Sequence, residues 1–144
     1  MGDFITKKTL SLKDAKVLEA LAISKALELG VGAAVAVVDY GGHLISLVRV
    51  DGTMAAASNI AIGKAATAVG FQRPGIILEQ TITCERPAMR TLISVAPFPY
   101  VPLKGSYPVI INGEVVGAIG VAGAKTGEND ELIALYAIER FEVL

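Results

Sequence analysis

Apolar positions in this chain alternate between helical and strand spacing, and the alternation predicts most of its elements. Val17, Leu18, Leu21, Ala22 and Leu29 recur at helical intervals. Ser11-Leu12-Lys13-Asp14 resembles a capping box ahead of them, and Gly30 is a C-terminal stop. Ala33 to Val38 is an unbroken β-rich run, the pattern of a strand covered on both faces. Asp39-Tyr40-Gly41-Gly42 follows as a tight turn, and His43 to Val50 is the returning strand. With a period of two, His43, Ile45, Leu47 and Arg49 share one face unless a bulge intervenes.

Met54 to Phe71 returns to helical spacing, with Ala57, Ala61, Lys64, Ala65 and Ala68 on one small-residue stripe. Pro74 opens a short helix, Gly75 to Thr81. Pro87, Pro97, Pro99 and Pro102 make the next stretch irregular, and Ala96 to Tyr100 reads as a rigid loop. Val109-Ile110-Ile111 and Val115-Val116 flank Asn112-Gly113, the pair that a type I′ hairpin turn requires. Gly117, Gly120 and Gly123 punctuate the last strand, where glycine marks a bulge or the close approach of another backbone or a ligand. Thr126 or Asn129 caps a final helix with Asp130 and Glu131 in its first turn and Leu132, Leu135 and Tyr136 as its inward stripe. This order predicts an α+β domain with an antiparallel sheet, spanning residues 1–144.

Composition narrows the function. Hydrophobic residues make up 53% of the chain and charged ones 19%, yet no segment approaches the roughly 20 apolar residues of a membrane span. The surplus apolar surface points to a homo-oligomer larger than a dimer, with the Ala61–Ala68 helix or its sheet neighbour near an interface. A net charge of −1 without a basic stripe excludes a nucleic-acid partner. The acidic start Met1-Gly2-Asp3 lacks a hydrophobic signal core, so a cytoplasmic location is expected. Cys84 stands alone, which excludes an internal disulfide and a thiolate zinc cluster.

Charged residues inside apolar elements are the candidates for chemistry, because a buried charge costs several kcal/mol unless it is paired. Lys64 stands on the small-residue stripe and needs either a ligand or a carboxylate such as Asp51 or Asp130. Arg49 and Asp51 point the same way in an unbroken strand. They form a structural pair, or else Arg49 holds a ligand carboxylate through its planar fork. Asp51-Gly52 also reads as a plain turn. His43, the only histidine, is a candidate iron ligand or general base, or a half-solvated turn residue. Arg86 beside Cys84-Glu85 is placed to activate the thiol. Phe98, Tyr100 and Tyr107 cover a flat ligand or close the core. No metal-spaced cluster, Walker loop or catalytic triad order is present.

Several motifs, taken in order, resemble the GlcG/HbpS-like haem-binding family, which includes the C-terminal domain of PduO-type proteins. They are Ala36-Val37-Val38-Asp39 with Gly41-Gly42, Arg49-x-Asp51-Gly52, and Ala61-x-x-Lys64-Ala65-x-Thr67-Ala68. Gly105-Ser106-Tyr107-Pro108, Gly117-Ala118-Ile119-Gly120-Val121-Ala122-Gly123 and Asp130-Glu131 continue the match. The resemblance implies a profilin-like sandwich, a five-stranded antiparallel sheet flanked by helices, assembled into higher oligomers. It also implies haem binding in some members. Ser106 replaces a glycine of that pattern and Ala122 a serine, so weak haem binding at most is expected if these positions line the pocket.

Three functional readings follow. The first is a small-molecule-binding protein whose ligand is haem-like or a carboxylate-bearing catabolite. Arg49, Lys64, Gly105, Ser106, Phe98, Tyr100 and Tyr107 would then contact it. The second is a cofactor-independent lyase or isomerase, with Lys64, Asp51 and His43 in proton transfer and Arg49 as acid anchor. A purely structural subunit is the third.

Overall fold

A computed structural model describes residues 2–144. Helix α1, Leu12–Leu29, starts and stops as its sequence dictates. Ser11 Oγ accepts the Asp14 N–H at 3.1 Å, and Gly30 closes the helix at φ 67°, a left-handed geometry that costs glycine little. Strands β1 (Ala34–Asp39) and β2 (Leu44–Arg49) form the first hairpin. Its turn is clamped by Asp39, whose Oδ1 accepts the Gly41 and His43 N–H groups at 2.9 and 3.0 Å. Val37 faces Ser46 but Val38 faces Leu44, so Ile45 is an extra residue in β2. This bulge breaks the expected common face: Ile45 packs towards α1, whereas Leu44 and Leu47 stay exposed on the other side.

Helix α2, Ala57–Phe71, begins three residues later than its spacing suggests, after turns at residues 51–56. Helix α3 is Gly75–Gln80. A π-helical turn, Thr81–Glu85, and a 3₁₀ segment, Pro87–Ser94, occupy the stretch expected to be irregular. Strands β3 (Ser106–Ile111) and β4 (Glu114–Ala122) form the second hairpin, where Asn112 and Gly113 take the positive φ values of 51° and 78° that a type I′ turn demands. Helix α4, Gly127–Glu142, is capped by Thr126, whose Oγ1 accepts the Asn129 N–H at 3.1 Å.

The sheet order is β2-β1-β4-β3, antiparallel throughout, with α1 and α4 on one face and α2 on the other. Among the described residues it has four strands rather than the five that the family resemblance implies. The segment before β3 adds none: Pro97, Pro99 and Pro102 lack the N–H that a ladder needs, and the segment lies against α2 instead. The inward stripe of α4 also differs from expectation. Leu132 is 49% exposed, and Asp130, Ile133, Ala134, Ala137 and Ile138 face inward. That stripe keeps strict helical spacing but starts on a carboxylate, which hydrophobicity alone cannot see. Among the described residues no helix is long and apolar enough to cross a membrane.

The two faces of the sheet are packed differently. Towards α1 and α4 the core is built from Leu18, Val35, Val37, Val109, Ile119, Val121 and Ile133. Towards α2 it is mostly alanine: Ala34, Ala36, Ala118 and Ala122 meet Ala57, Ala61, Ala65 and Ala68. Small side chains on both surfaces let α2 settle almost onto the strand backbone. A Cβ built on Gly120 would lie 2.3 Å from the Ala61 carbonyl oxygen and 2.7 Å from the Ala65 nitrogen. Gly120 is therefore required for space rather than for φ, as the glycine punctuation of β4 anticipates.

Gly120→Ala is expected to push α2 off the sheet and lower unfolding stability by roughly 3 kcal/mol, in the range of overpacked cores. Gly113→Ala, which adds only a left-handed alanine in an open turn, costs about 1 kcal/mol. Urea unfolding of both variants checks the contrast, and equal losses would show that the α2 contact is not tight.

Candidate functional site

Lys64 lies on the sheet-facing side of α2 and is 3% exposed. Its ammonium donates to the Val121 carbonyl at 2.8 Å and to Asp130 Oδ2 at 2.9 Å, so helix α2, strand β4 and helix α4 meet on one charge. Asp130 is itself buried, and its other oxygen accepts the Ala124 N–H at 3.0 Å. Of the two carboxylates that sequence spacing offers as partners for Lys64, the fold supplies Asp130. Asp51 lies in an exposed turn with Gly52 at φ 81° and pairs with no cation among the described residues.

Gly105, Ser106 and Tyr107 enter β3 beside this pair. Glu131 Oε1 accepts the Gly105 N–H at 2.9 Å, and its other oxygen accepts the Tyr107 hydroxyl. Gly105 sits at φ 102°, and a Cβ there would crowd Asp130, Val121 and the Lys64 ammonium at 2.8–3.0 Å. Ser106 is fully buried against Gly75 and Leu103 rather than open to a ligand. Asp130 and Glu131, which read as simple helix N-terminal charges, thus tie the last helix to α2 and to β3. Their partners are distant in sequence, so only the fold reveals them.

The second cluster lies at the C-terminal end of α2. Gly63, Thr67 and Gly70 form a stripe that receives residues 98–101: Val101 lies over Gly63 and the Phe98 ring over Gly70. Thr67 Oγ1 accepts the Val101 N–H at 2.8 Å, and the hydroxyl lies 2.9 Å from the Pro99 carbonyl. This seats Phe98 edge-on to Phe71 at 5.9 Å, with Tyr100 5.8 Å from the same ring. The Tyr100 hydroxyl donates to the Met89 carbonyl at 2.8 Å, and burial pushes its pKa upward. Phe98 and Tyr100 therefore buttress Phe71. In front of that ring opens a cleft of about 550 Å³ lined by Gly70, Phe71, Arg73, Arg86, Met89 and Leu92, among others. Neither Arg73 nor Arg86 takes part in any ion pair among the described residues. In the sequence Arg86 stands out only as a neighbour of Cys84, and Arg73, Met89 and Leu92 not at all. Their spacing follows no motif, and a turn and two helical segments bring them together.

The remaining candidates do not join either cluster. Arg49 is exposed and donates through Nη1 to the Thr53 carbonyl at 2.9 Å, closing its own turn. His43 is 83% exposed, with Nδ1 3.4 Å from Asp39 Oδ1. His43 and Asp51 flank opposite ends of the six-residue strand β2, so the length of that strand separates them. Cys84 is exposed. Among the described residues no three His, Cys, Asp or Glu side chains are grouped to hold a metal ion.

Comparisons with known proteins agree with this architecture. The family model described as haem degrading protein HbpS-like matches residues 10–139. The protein GlcG of Escherichia coli K12 is 34% identical over 117 residues, covering 81% of this chain and 84% of its own. The crystal structure of Klebsiella pneumoniae ORFY superposes with a TM-score of 0.87 at 29% identity, over 100% of this chain and 98% of that one. A crystal structure of PduOC in complex with haem superposes with a TM-score of 0.81 at 28% identity, over 91% and 94% of the two chains.

The Tyr107–Glu131 bond gives the first cluster a pH signature. Burial, then the hydrogen bond to Glu131 and the charges of Glu131 and Glu139, push the Tyr107 phenol above the ordinary tyrosine range. The unfolded phenol loses its proton near pH ~10, before the folded one does. Its contribution to stability is therefore complete below that pH and declines as pH rises further. Tyr107→Phe should cost about 1 kcal/mol at neutral pH and flatten the alkaline decline seen in urea unfolding. An unchanged alkaline slope would separate Tyr107 from the effect.

Proposed function

The chain belongs to the HbpS-like family, and on that footing we propose that it binds a flat, apolar small molecule bearing carboxylates, of the haem kind. The cleft in front of Phe71 is its site. The observation that carries this reading is a pair of exposed arginines, Arg73 and Arg86, which have no carboxylate partner among the described residues and share one cleft with Phe71, Met89 and Leu92. Guanidinium groups form bidentate bonds with carboxylates. Phe71, Met89 and Leu92 offer apolar surface for a ring system, and about 550 Å³ is within the usual range of ligand sites.

These residues fit the acid groups and the apolar body of a porphyrin. They fit its metal less well: no histidine lines the cleft, Met89 among its lining residues is buried, and His43 stands on the β1–β2 turn. Recognition in this reading depends on the macrocycle and its carboxylates rather than on the iron. The alternative, a lyase or isomerase using Lys64, Asp51 and His43, finds no common pocket. Lys64 is held by Asp130, and the other two flank opposite ends of β2.

The assembly belongs to the same proposal. Leu44 and Leu47 on edge strand β2 are 47% and 38% exposed, which supports an oligomer larger than a dimer. Light scattering that returns a monomer or a dimer at micromolar concentration contradicts it.

Absorbance and fluorescence titrations with haem and with metal-free protoporphyrin IX test the binding proposal. Both should bind saturably with similar affinity. Arg73→Ala and Arg86→Ala should each weaken both by about tenfold, or about 1.4 kcal/mol, and His43→Ala should change neither. Haem binding abolished by His43→Ala, or no saturable binding of either compound, overturns it.

A further inference from the structure

Lys64 carries a donor that the fold does not use. An ammonium has three N–H groups. Val121 O and Asp130 Oδ2 take two of them, and the third has no acceptor among the described residues. Lys64 also lines a cavity of about 230 Å³ together with Met54, Ile60, Glu79, Leu103, Lys104 and Asp130. That cavity shares Met54, Gly123, Gly127 and Asp130 with a second hollow of about 370 Å³. A charged donor, almost wholly buried and without an acceptor, is costly unless an oxygen from outside the chain meets it.

The charges around the cavity select the class of oxygen. Lys64 and Lys104 contribute two positive charges, and Glu79 and Asp130 two negative ones, so the lining is neutral overall. Both ammoniums already face carboxylates: Lys64 meets Asp130, and Lys104 lies 3.5 Å from Glu79 and 3.3 Å from Glu128. A second anion in the cavity would meet Glu79 and Asp130 without an uncommitted cation. The walls are otherwise apolar, from Met54, Ile60, Leu103 and Ala122. We infer that this cavity is a second ligand site, separate from the arginine cleft, for a small uncharged carbonyl compound whose oxygen accepts the third N–H of Lys64.

The test is an amide chemical-shift titration of the whole protein with butanone as probe and propionate as control. Butanone should shift the Ala122, Gly123, Gly127 and Asp130 amides saturably, with a dissociation constant on the order of 1–10 mM for so small a ligand. Propionate should leave them unchanged. Lys64→Met removes the donor but also strands Asp130, so the informative variant is Met54→Trp. Met54 is 56% exposed and lines both hollows, and an indole there occupies the space while both members of the ion pair are kept. Met54→Trp should abolish the butanone response while leaving thermal unfolding unchanged. A response to propionate equal to that of butanone overturns the neutral-ligand assignment. So does a response that survives Met54→Trp, or a high-resolution crystal soak showing an ordered water only on Lys64.

Discussion

One ammonium, that of Lys64, joins three elements that the chain supplies far apart. It stands on α2, donates to the β4 carbonyl of Val121 and meets the α4 carboxylate of Asp130, with both charged side chains almost wholly buried. Removing two charges from water is costly, and their attraction repays that cost only where geometry is good and the remaining hydrogen bonds are made. Here most are made: Asp130 also accepts the Ala124 N–H. The pair matters more in this fold than in an ordinary core because α2 brings little apolar bulk. Its sheet-facing side is alanine against alanine, with Gly120 directly beneath it. Such a contact is tight but has few shape features to set register, and the ion pair supplies one.

The position of α2 sets the rest of the molecule. Its inner face holds Lys64 against Val121, and its outer stripe of Gly63, Thr67 and Gly70 seats the proline-rich segment before β3. That segment carries Phe98 and Tyr100, which brace Phe71, and Tyr100 also holds the Met89 carbonyl of the 3₁₀ segment. The arginine cleft is thus assembled from pieces that all register on α2. A shift of the helix along the sheet would move the Phe71 wall and the floor of the Lys64 cavity together.

Local chemistry was legible in the sequence wherever neighbours in the chain are neighbours in space. The Ser11 cap, the Gly30 stop and the Asn112-Gly113 turn each act within a few residues, and each is realised. The glycine punctuation of β4 announced a close backbone approach, which Gly120 makes with α2. Where tertiary pairing decides, neighbours in the chain carry too little information. The inward stripe of α4 begins on Asp130, so its phase could not be set without knowing that Lys64 waits opposite. The bulge at Ile45 redistributes the residues of β2 between two faces, and no residue type at that position signals it. The family motifs implied a five-stranded sheet; four strands form, and the proline-rich segment before β3 adds none. The arginine cleft was invisible for the same reason: Arg73, Arg86 and Leu92 carry no spacing signature until a turn and two short helices fold them together.

The direct test of this account is a double-mutant cycle on the ion pair, using Lys64→Met, Asp130→Asn and the combination, each followed by urea unfolding. Asp130→Asn removes the charge while keeping an acceptor for Ala124. Each single change is predicted to cost roughly 3–5 kcal/mol, because it leaves one buried charge unpaired. The double variant should cost no more than the worse of the two, giving a coupling energy of about 3 kcal/mol. Additive losses, with coupling below about 0.5 kcal/mol, would show that Lys64 and Asp130 act separately and that α2 is held in place by packing alone.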